Sequence, residues 1–298
     1  MGLIYIFIAS LLWATDTLIR YPLMTSGLSA VKIVFIEHLI LLLCLIPFLY
    51  IQRNFWKSLT KEEFFSYLFI GGIGSALATL SFTKAFSLLN PSLVIVLQKL
   101  QPIVAISLAR FFLKETVSRE FLFWAFVCLL GGLFISYQDF YKGITLLIGG
   151  KTSLGVDSLS GYFFAGVAVL GWGASTVFGK KLSLLGHNQW HLISGRFGVG
   201  FICLLPIVFF SKEVMTTQLY IFNKLLIMVF LSGFLGMIFY YLGLKRSSAR
   251  LTALAEMFFP LCAIIINWLV FGTTLSFVQL IGASLLILGS VVLQYKKY

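Results

Sequence analysis

Ten apolar runs, each about the length of a membrane-crossing helix, follow one another along the chain, with polar residues gathered between them. They cover approximately residues 2–20, 30–51, 64–86, 91–112, 119–137, 160–181, 189–210, 221–244, 249–271 and 276–294. Roughly 20 helical residues cross the ~30 Å hydrocarbon core of a bilayer. Backbone polar groups in lipid must be paired inside their own segment, so helices are the expected solution. A membrane barrel would instead show alternating segments of about ten residues, and the chain has none. Several boundaries carry their own signals. Asn90-Pro91 opens the fourth run, where proline suits a first turn, and Arg53, Lys57 and Lys61 fill the connection after the second. Ser247-Ser248 precede the ninth.

The pattern is written twice. Gly2 aligns with Gly161, placing Trp13 on Trp172 and Glu37 on Arg196, an offset of 159 residues. After one residue of slip, Ala85 aligns with Gly243, Gln98 with Glu256 and Pro102 with Pro260, an offset of 158. Each half holds five runs, and an odd number makes the second copy enter the membrane upside down. The predicted fold is therefore an all-α polytopic membrane protein of ten transmembrane helices, arranged as two inverted five-helix repeats around a central cavity. The first repeat is residues 1–137, the linker 138–159 and the second repeat 160–298. Inverted repeats are common in secondary transporters, where exchange of conformation between copies gives alternating access.

Composition sharpens this reading. The 298 residues are 60% hydrophobic and only 11% charged, with mean hydropathy +1.01, against about a quarter charged in a soluble domain. The first run carries Asp16, lacks a basic leader and is matched by the run that begins near Gly161, so it is expected to be a retained span rather than a signal peptide. The net charge of +12 collects at helix ends, which a membrane orientation explains better than nucleic acid does. With a cytoplasmic N-terminus, twelve lysines and arginines fall in inner connections and seven in outer ones, Arg20 among the latter. That bias predicts a multi-pass protein of the cytoplasmic (inner) membrane with both termini cytoplasmic and the linker outside. Cys44, Cys128, Cys203 and Cys262 all lie within spans at no metal or redox spacing. In the linker, Gly149-Gly150-Lys151-Thr152-Ser153 imitates the end of a phosphate-binding loop, but Thr145 stands where its first glycine belongs.

Charge inside a membrane costs about 2.5–3.5 kcal/mol per residue on insertion scales and is usually paired or turned toward water. The chain places Asp16, Glu37, Lys99, Arg196 and Glu256 within its spans, with His38 and His191 beside them. Counting helix rise from each entry point, Asp16, Glu37 and Lys99 fall in an outer layer, Arg196 and Glu256 in an inner one. Between the copies the signs exchange, because Glu37 matches Arg196 and Gln98-Lys99 matches Glu256-Met257. The expected pairs are Glu37 with Lys99 and Arg196 with Glu256, either as gates bordering a substrate chamber or as staples between helices.

The fourth and ninth runs look central. Gln98 and Gln101 share a helix face, and Pro102 and Pro260 stand at matching places, where a mid-helix proline would kink the chain and serve as a pivot. Trp13 and Trp172 match, as do Phe82 with Tyr240 and Thr83 with Tyr241. Such rings can stack a flat or cationic metabolite, or they can anchor and pack. Ser75, Ala78, Gly233 and Gly236 suit close helix packing.

These features resemble the drug/metabolite transporter superfamily, in its ten-helix EamA-like branch. The residues that carry the resemblance are Leu12-Trp13-Ala14 with Gly171-Trp172-Gly173, then Asn90-Pro91-Ser92, Gln101-Pro102 and Phe112-Leu113-Lys114-Glu115-Thr116. In the second copy they are Tyr240-Tyr241-Leu242-Gly243-Leu244-Lys245, Phe259-Pro260 and Phe271-Gly272-Thr273-Thr274. The resemblance implies a basket of ten helices around a central cavity. In that family a glutamate is usual where Glu115 and Thr273 stand and a basic residue where Glu37 and Arg196 stand, so Thr273 and Glu37 depart.

The function expected from the sequence is a secondary transporter of a small metabolite, an amino acid or related compound, by export. The alternative is an exchanger of a larger charged metabolite such as a nucleotide derivative or S-adenosylmethionine. Its partners are the small-molecule substrate and the lipid bilayer, with protons as a candidate coupling ion and no nucleic acid. No cofactor, metal or catalytic residue is expected, since the chain holds no nucleophile–base set or metal cluster. The residues expected to bind substrate or gate are Trp13, Asp16, Glu37, Gln98, Lys99, Gln101, Trp172, Arg196, Tyr240, Tyr241 and Glu256, with Pro102 and Pro260 as pivots.

Overall fold

The computed structural model describes residues 2–89, 94, 97–137, 141, 144, 145, 148, 156–271 and 276–296. Among the described residues the fold is helical, with no strand. The longer elements are α1 (Gly2–Thr25), α2 (Ala30–Ile51), the short α3 (Arg53–Lys57), α4 (Lys61–Leu88), α5 (Gln101–Phe112) and α6 (Arg119–Ile135). They continue with α7 (Val156–Leu184), α8 (Gln189–Ser211), α9 (Leu219–Lys245), α10 (Ala249–Ala255), α11 (Phe258–Phe271) and α12 (Phe277–Tyr295). Six helices among them are long and apolar enough to cross a membrane. The linker motif Gly149-Gly150-Lys151-Thr152-Ser153, the Asn90-Pro91-Ser92 segment and Thr273 lie outside the described residues.

Helix starts follow their capping residues. The side chains of Ser29, Ser118, Asn188 and Ser248 each accept from a backbone N–H in the first turn that follows, satisfying donors that a helix end leaves unpaired. Gly27 and Gly186 adopt φ of +95° and +92° in the turns before α2 and α8, a region that glycine enters without steric cost.

Two helices widen part-way. Leu68–Leu77 in α4 and Val229–Leu235 in α9 are π-helical, a geometry that re-aims side chains and often marks functional positions. The α4 stretch is rich in small residues, which lets α7 and α8 pack closely. A Cβ on Gly74 would meet Ser175 Oγ at 2.6 Å, and one on Gly71 would meet the Arg196 carbonyl at 2.7 Å.

The helices pack in a defined set of pairs: α1 with α9 and α11, α2 with α8, α4 with α7 and α8, α5 with α7 and α10, and α6 with α12. The α6–α12 contact is glycine-mediated, since a Cβ on Gly131 would lie 2.7 Å from Leu286 N and 2.8 Å from Gly282 O. Small residues at such crossings let apolar helices approach in lipid, where no hydrophobic force drives them together.

Two differences from the sequence expectation bear on the site. The first helix runs on to Thr25, so Arg20, expected in an outer connection, is inside it and 8% exposed. Pro102 is the second residue of α5, just after a turn at Lys99 and Leu100, and not a mid-helix kink. Pro260 stands third in α11, after the turn at Glu256 and Met257. In each case the helix is interrupted ahead of the proline, whose missing N–H suits a helix start.

Candidate functional site

The two interruptions meet at a cavity of about 190 Å³ in the middle of the bundle. Of the residues expected from sequence, Trp13, Asp16, Glu37, Gln98, Lys99, Gln101, Pro102, Trp172, Arg196, Tyr240 and Glu256 line it. Tyr241 lies outside the lining, its hydroxyl 3.4 Å from Arg196 Nη1. The expected outer and inner charged layers therefore share one chamber.

Glu256 sits where α10 breaks from α11, its carboxylate receiving Gln101 Nε2 at 2.5 Å and Thr176 Oγ1 at 3.2 Å. Tyr240 Oη lies 2.9 Å from Thr176 Oγ1. A threonine hydroxyl has one proton, which the Glu256 carboxylate and the Trp172 carbonyl both face at 3.2 Å, so Tyr240 is the donor to Thr176. Helices α5, α7, α9 and the α10–α11 break are thereby joined through one carboxylate. The expected partner of Glu256 was Arg196. Arg196 instead donates to Ser175 Oγ at 2.7 Å and to the Gly74 carbonyl at 3.1 Å.

The expected Glu37–Lys99 pair is also replaced. Arg20 bridges two carboxylates, with Nε 2.6 Å from Asp16 Oδ2 and Nη2 2.9 Å from Glu37 Oε2. Ser232 donates to Asp16 at 3.0 Å and ties the cluster to α9. Lys99 Nζ stands 5.8 Å from the centre of the Phe259 ring, within cation–π range. The spacing of Asp16 and Arg20, four apart on one helix face, is the signal that could have found Arg20. His38 donates from Nδ1 to the Val34 carbonyl at 2.8 Å and meets Ser75 Oγ at 3.0 Å through Nε2.

Two aromatic pairs contribute to the lining. Trp13 packs at 5.3 Å against Tyr240, and Trp172 at 4.8 Å against Phe82. Met237, Met257 and Phe259 add polarizable surface. The charged groups balance: Asp16, Glu37 and Glu256 against Arg20, Lys99 and Arg196. Some buried polar atoms in the lining have no hydrogen-bond partner among the described residues, namely Gln98 Oε1, Arg20 Nη1 and Arg196 Nε. Such groups are normally satisfied by water or ligand. The arrangement can enclose a small, flat molecule and offer it both donors and acceptors. Among the described residues no cluster of His, Cys, Asp and Glu could hold a metal ion.

One end of the bundle is held by charged side chains on backbone groups. Glu115 accepts from Ala249 N at 2.8 Å and Arg250 N at 3.2 Å, and Lys180 donates to the Leu244 carbonyl at 3.0 Å. These contacts pin the α9–α10 turn against α5 and α7.

Comparison with known proteins places the chain. The model of the EamA-like transporter family matches residues 1–137 and again 159–295. A riboflavin transporter, ImpX of Fusobacterium nucleatum subsp. nucleatum, is 30% identical over 300 residues, covering 97% of this chain and 95% of that one. An uncharacterized transporter, YyaM of Bacillus subtilis (strain 168), is 26% identical over 240 residues, covering 78% and 74%. A solved crystal structure of a protein 15% identical superposes with a TM-score of 0.69, over 99% of this chain and 98% of that one, and shares the fold. With both halves matched and a relative of that identity along nearly its full length, this multi-pass membrane chain belongs to the EamA-like transporter family.

Proposed function

We propose that the protein is a secondary transporter of a flat, uncharged heteroaromatic metabolite of the flavin class, with riboflavin as the first candidate. Transport proceeds by alternating access between two inverted five-helix copies, residues 1–137 and 160–298, in a cytoplasmic membrane with both termini inside. The linker 138–159 then lies outside. The observation that carries this reading is the chamber itself: paired aromatic walls, balanced charge and two interrupted helices. Interrupted helices offer unpaired backbone ends to a ligand where they line a cavity sheltered from lipid. The relative named as a riboflavin transporter supports the choice of ring.

The repeat is supported by features that recur between the copies at the offsets of 158 and 159 residues found in the sequence. Trp13 against Tyr240 answers Trp172 against Phe82. The π-helical stretches end at Leu77 and Leu235, the positive-φ turns fall at Gly27 and Gly186, and α1 on α9 answers α7 on α4. A two-fold axis relating two such halves lets one end open as the other closes.

Substrate chemistry follows from charge and room. A free amino acid, the expectation from sequence, would leave the Trp13 and Trp172 rings of the lining without a ring to stack. A larger charged metabolite would find no surplus of opposite charge among the lining residues. The imide edge of a flavin, a donor between two acceptors, matches the mixed amide and charged groups of Gln98, Gln101 and Lys99. The test is titration of purified protein with riboflavin while flavin and tryptophan fluorescence are followed. Saturable mutual quenching that Trp172→Ala weakens supports the reading, and absence of quenching by the folded wild type contradicts it.

A further inference from the structure

We propose that Arg20 is the first copy's counterpart of Arg196, supplied from the first helix rather than the second, and that the two guanidinium groups together meet acceptor oxygens of the substrate. The inference rests on the transport and repeat reading above. At an offset of 159 residues Asp16 answers Ser175, Arg20 answers Gly179 and Glu37 answers Arg196, and at 158 Gly74 answers Ser232. The second copy places its guanidinium on α8, held by Ser175 of α7 and the Gly74 carbonyl of α4. In the first copy, α2 carries Glu37 at that place. The guanidinium comes instead from α1, held between Asp16 and Glu37, with Asp16 fixed by Ser232 of α9. The same three-helix junction thus holds one cation in each copy, by opposite assignments of charge.

Both arginines line the same chamber, at 8% and 5% exposure. Each keeps one nitrogen without a partner among the described residues, Nη1 of Arg20 and Nε of Arg196. A guanidinium is always charged and presents a planar fork of donors suited to carbonyl and carboxylate oxygens. Asp16 and Glu37 are then positioning residues, which consume part of the fork and aim the rest.

The experiment uses full-length protein in proteoliposomes with riboflavin as the probe. The variants are Arg20→Gln, Arg196→Gln and a relocated form combining Asp16→Ser, Arg20→Gly and Glu37→Arg, which gives the first copy the second copy's layout. Loss of a charged hydrogen bond predicts that KM for Arg20→Gln rises about tenfold or more. The relocated form is expected to return KM to within about threefold of wild type, since it restores the same donor. A folded Arg20→Gln protein with wild-type KM overturns the assignment, as does a folded relocated form that stays at the KM of Arg20→Gln. If Arg20→Gln does not fold, the relocated form decides alone, because a simple staple would not be rescued by moving the charge to α2. A wild type that neither binds nor moves riboflavin overturns the transport reading itself; a wild type that does, with KM unchanged in Arg20→Gln, overturns the role of Arg20 only.

Discussion

Gln101 donates to the carboxylate of Glu256 across 2.5 Å, and each residue stands beside an interruption of its own helix path. This contact joins the break before α5 to the break before α11 in the lining of the chamber. Movement of either break relative to the other stretches it, so it reports on any rearrangement that exposes the cavity.

Substituting Glu256→Gln is expected to lower the transport rate by about tenfold or more, because the two donors that meet the carboxylate lose a charged acceptor. The fold should persist, since Gln matches Glu in shape. Initial rates in proteoliposomes, with elution volume on size exclusion as the control for folding, measure this. A rate within twofold of wild type would remove Glu256 from the working site.

The aromatic walls give a separate prediction. Trp172→Ala and Trp13→Ala should each weaken binding of a flat substrate by about tenfold, in line with ~1–3 kcal/mol for a base stacked on an aromatic side chain. Trp172→Phe should recover most of the loss. Fluorescence titration separates the three, and equal affinity for all of them would assign the rings to packing alone.

How far the chain could be read in advance differs between fold and site. The apolar runs report the helices because lipid exposure forces hydrophobic residues onto long segments, and seven of the eleven expected residues that line the chamber are charged or amide side chains, which have few other places to go in a membrane. The pairings were not legible. Depth along a helix gives height and not rotation, so level alone pairs Glu37 with Lys99, and the charge count assigns Arg20, a turn beyond Asp16, to an outer connection. The interruptions at Lys99–Leu100 and Glu256–Met257 were read as kinks because proline in sequence does not say whether a helix bends through it or restarts before it. The widening of α4 and α9 leaves no mark beyond a cluster of small residues, which also fits ordinary close packing.

Glu115 provides a test of the end at which the α9–α10 turn is held. Its carboxylate holds two backbone N–H groups of α10 and lies 3.4 Å from Arg250 Nε. Glu115→Ala leaves those donors and the guanidinium short of an acceptor, and is expected to cost about 1–3 kcal/mol. The thermal unfolding midpoint in detergent should fall, and a cysteine at Leu244 should react faster with a membrane-impermeant thiol reagent on a cysteine-free background. Unchanged midpoint and reactivity would show that the α9–α10 turn is held by apolar packing.

The α6–α12 crossing should tolerate no side chain at its centre. Gly131→Val puts a branched group where even a Cβ meets Leu286 N at 2.7 Å, and overpacking of this kind costs about 1–3 kcal/mol or more. Reduced yield of monodisperse protein is expected, with Gly166→Val, where a Cβ meets nothing within 4 Å, as the tolerated control. Equal yields would mean that α6 and α12 separate without consequence.

The central claim is that a flavin-class ring crosses the membrane through this chamber. The most direct measurement is counterflow: proteoliposomes loaded with unlabelled riboflavin are diluted into labelled riboflavin, and internal label is followed with time. The account predicts a transient accumulation above equilibrium in the wild type, lost in Trp172→Ala and Glu256→Gln. Label that enters wild-type vesicles no faster than protein-free vesicles, with the protein folded and inserted, would contradict it.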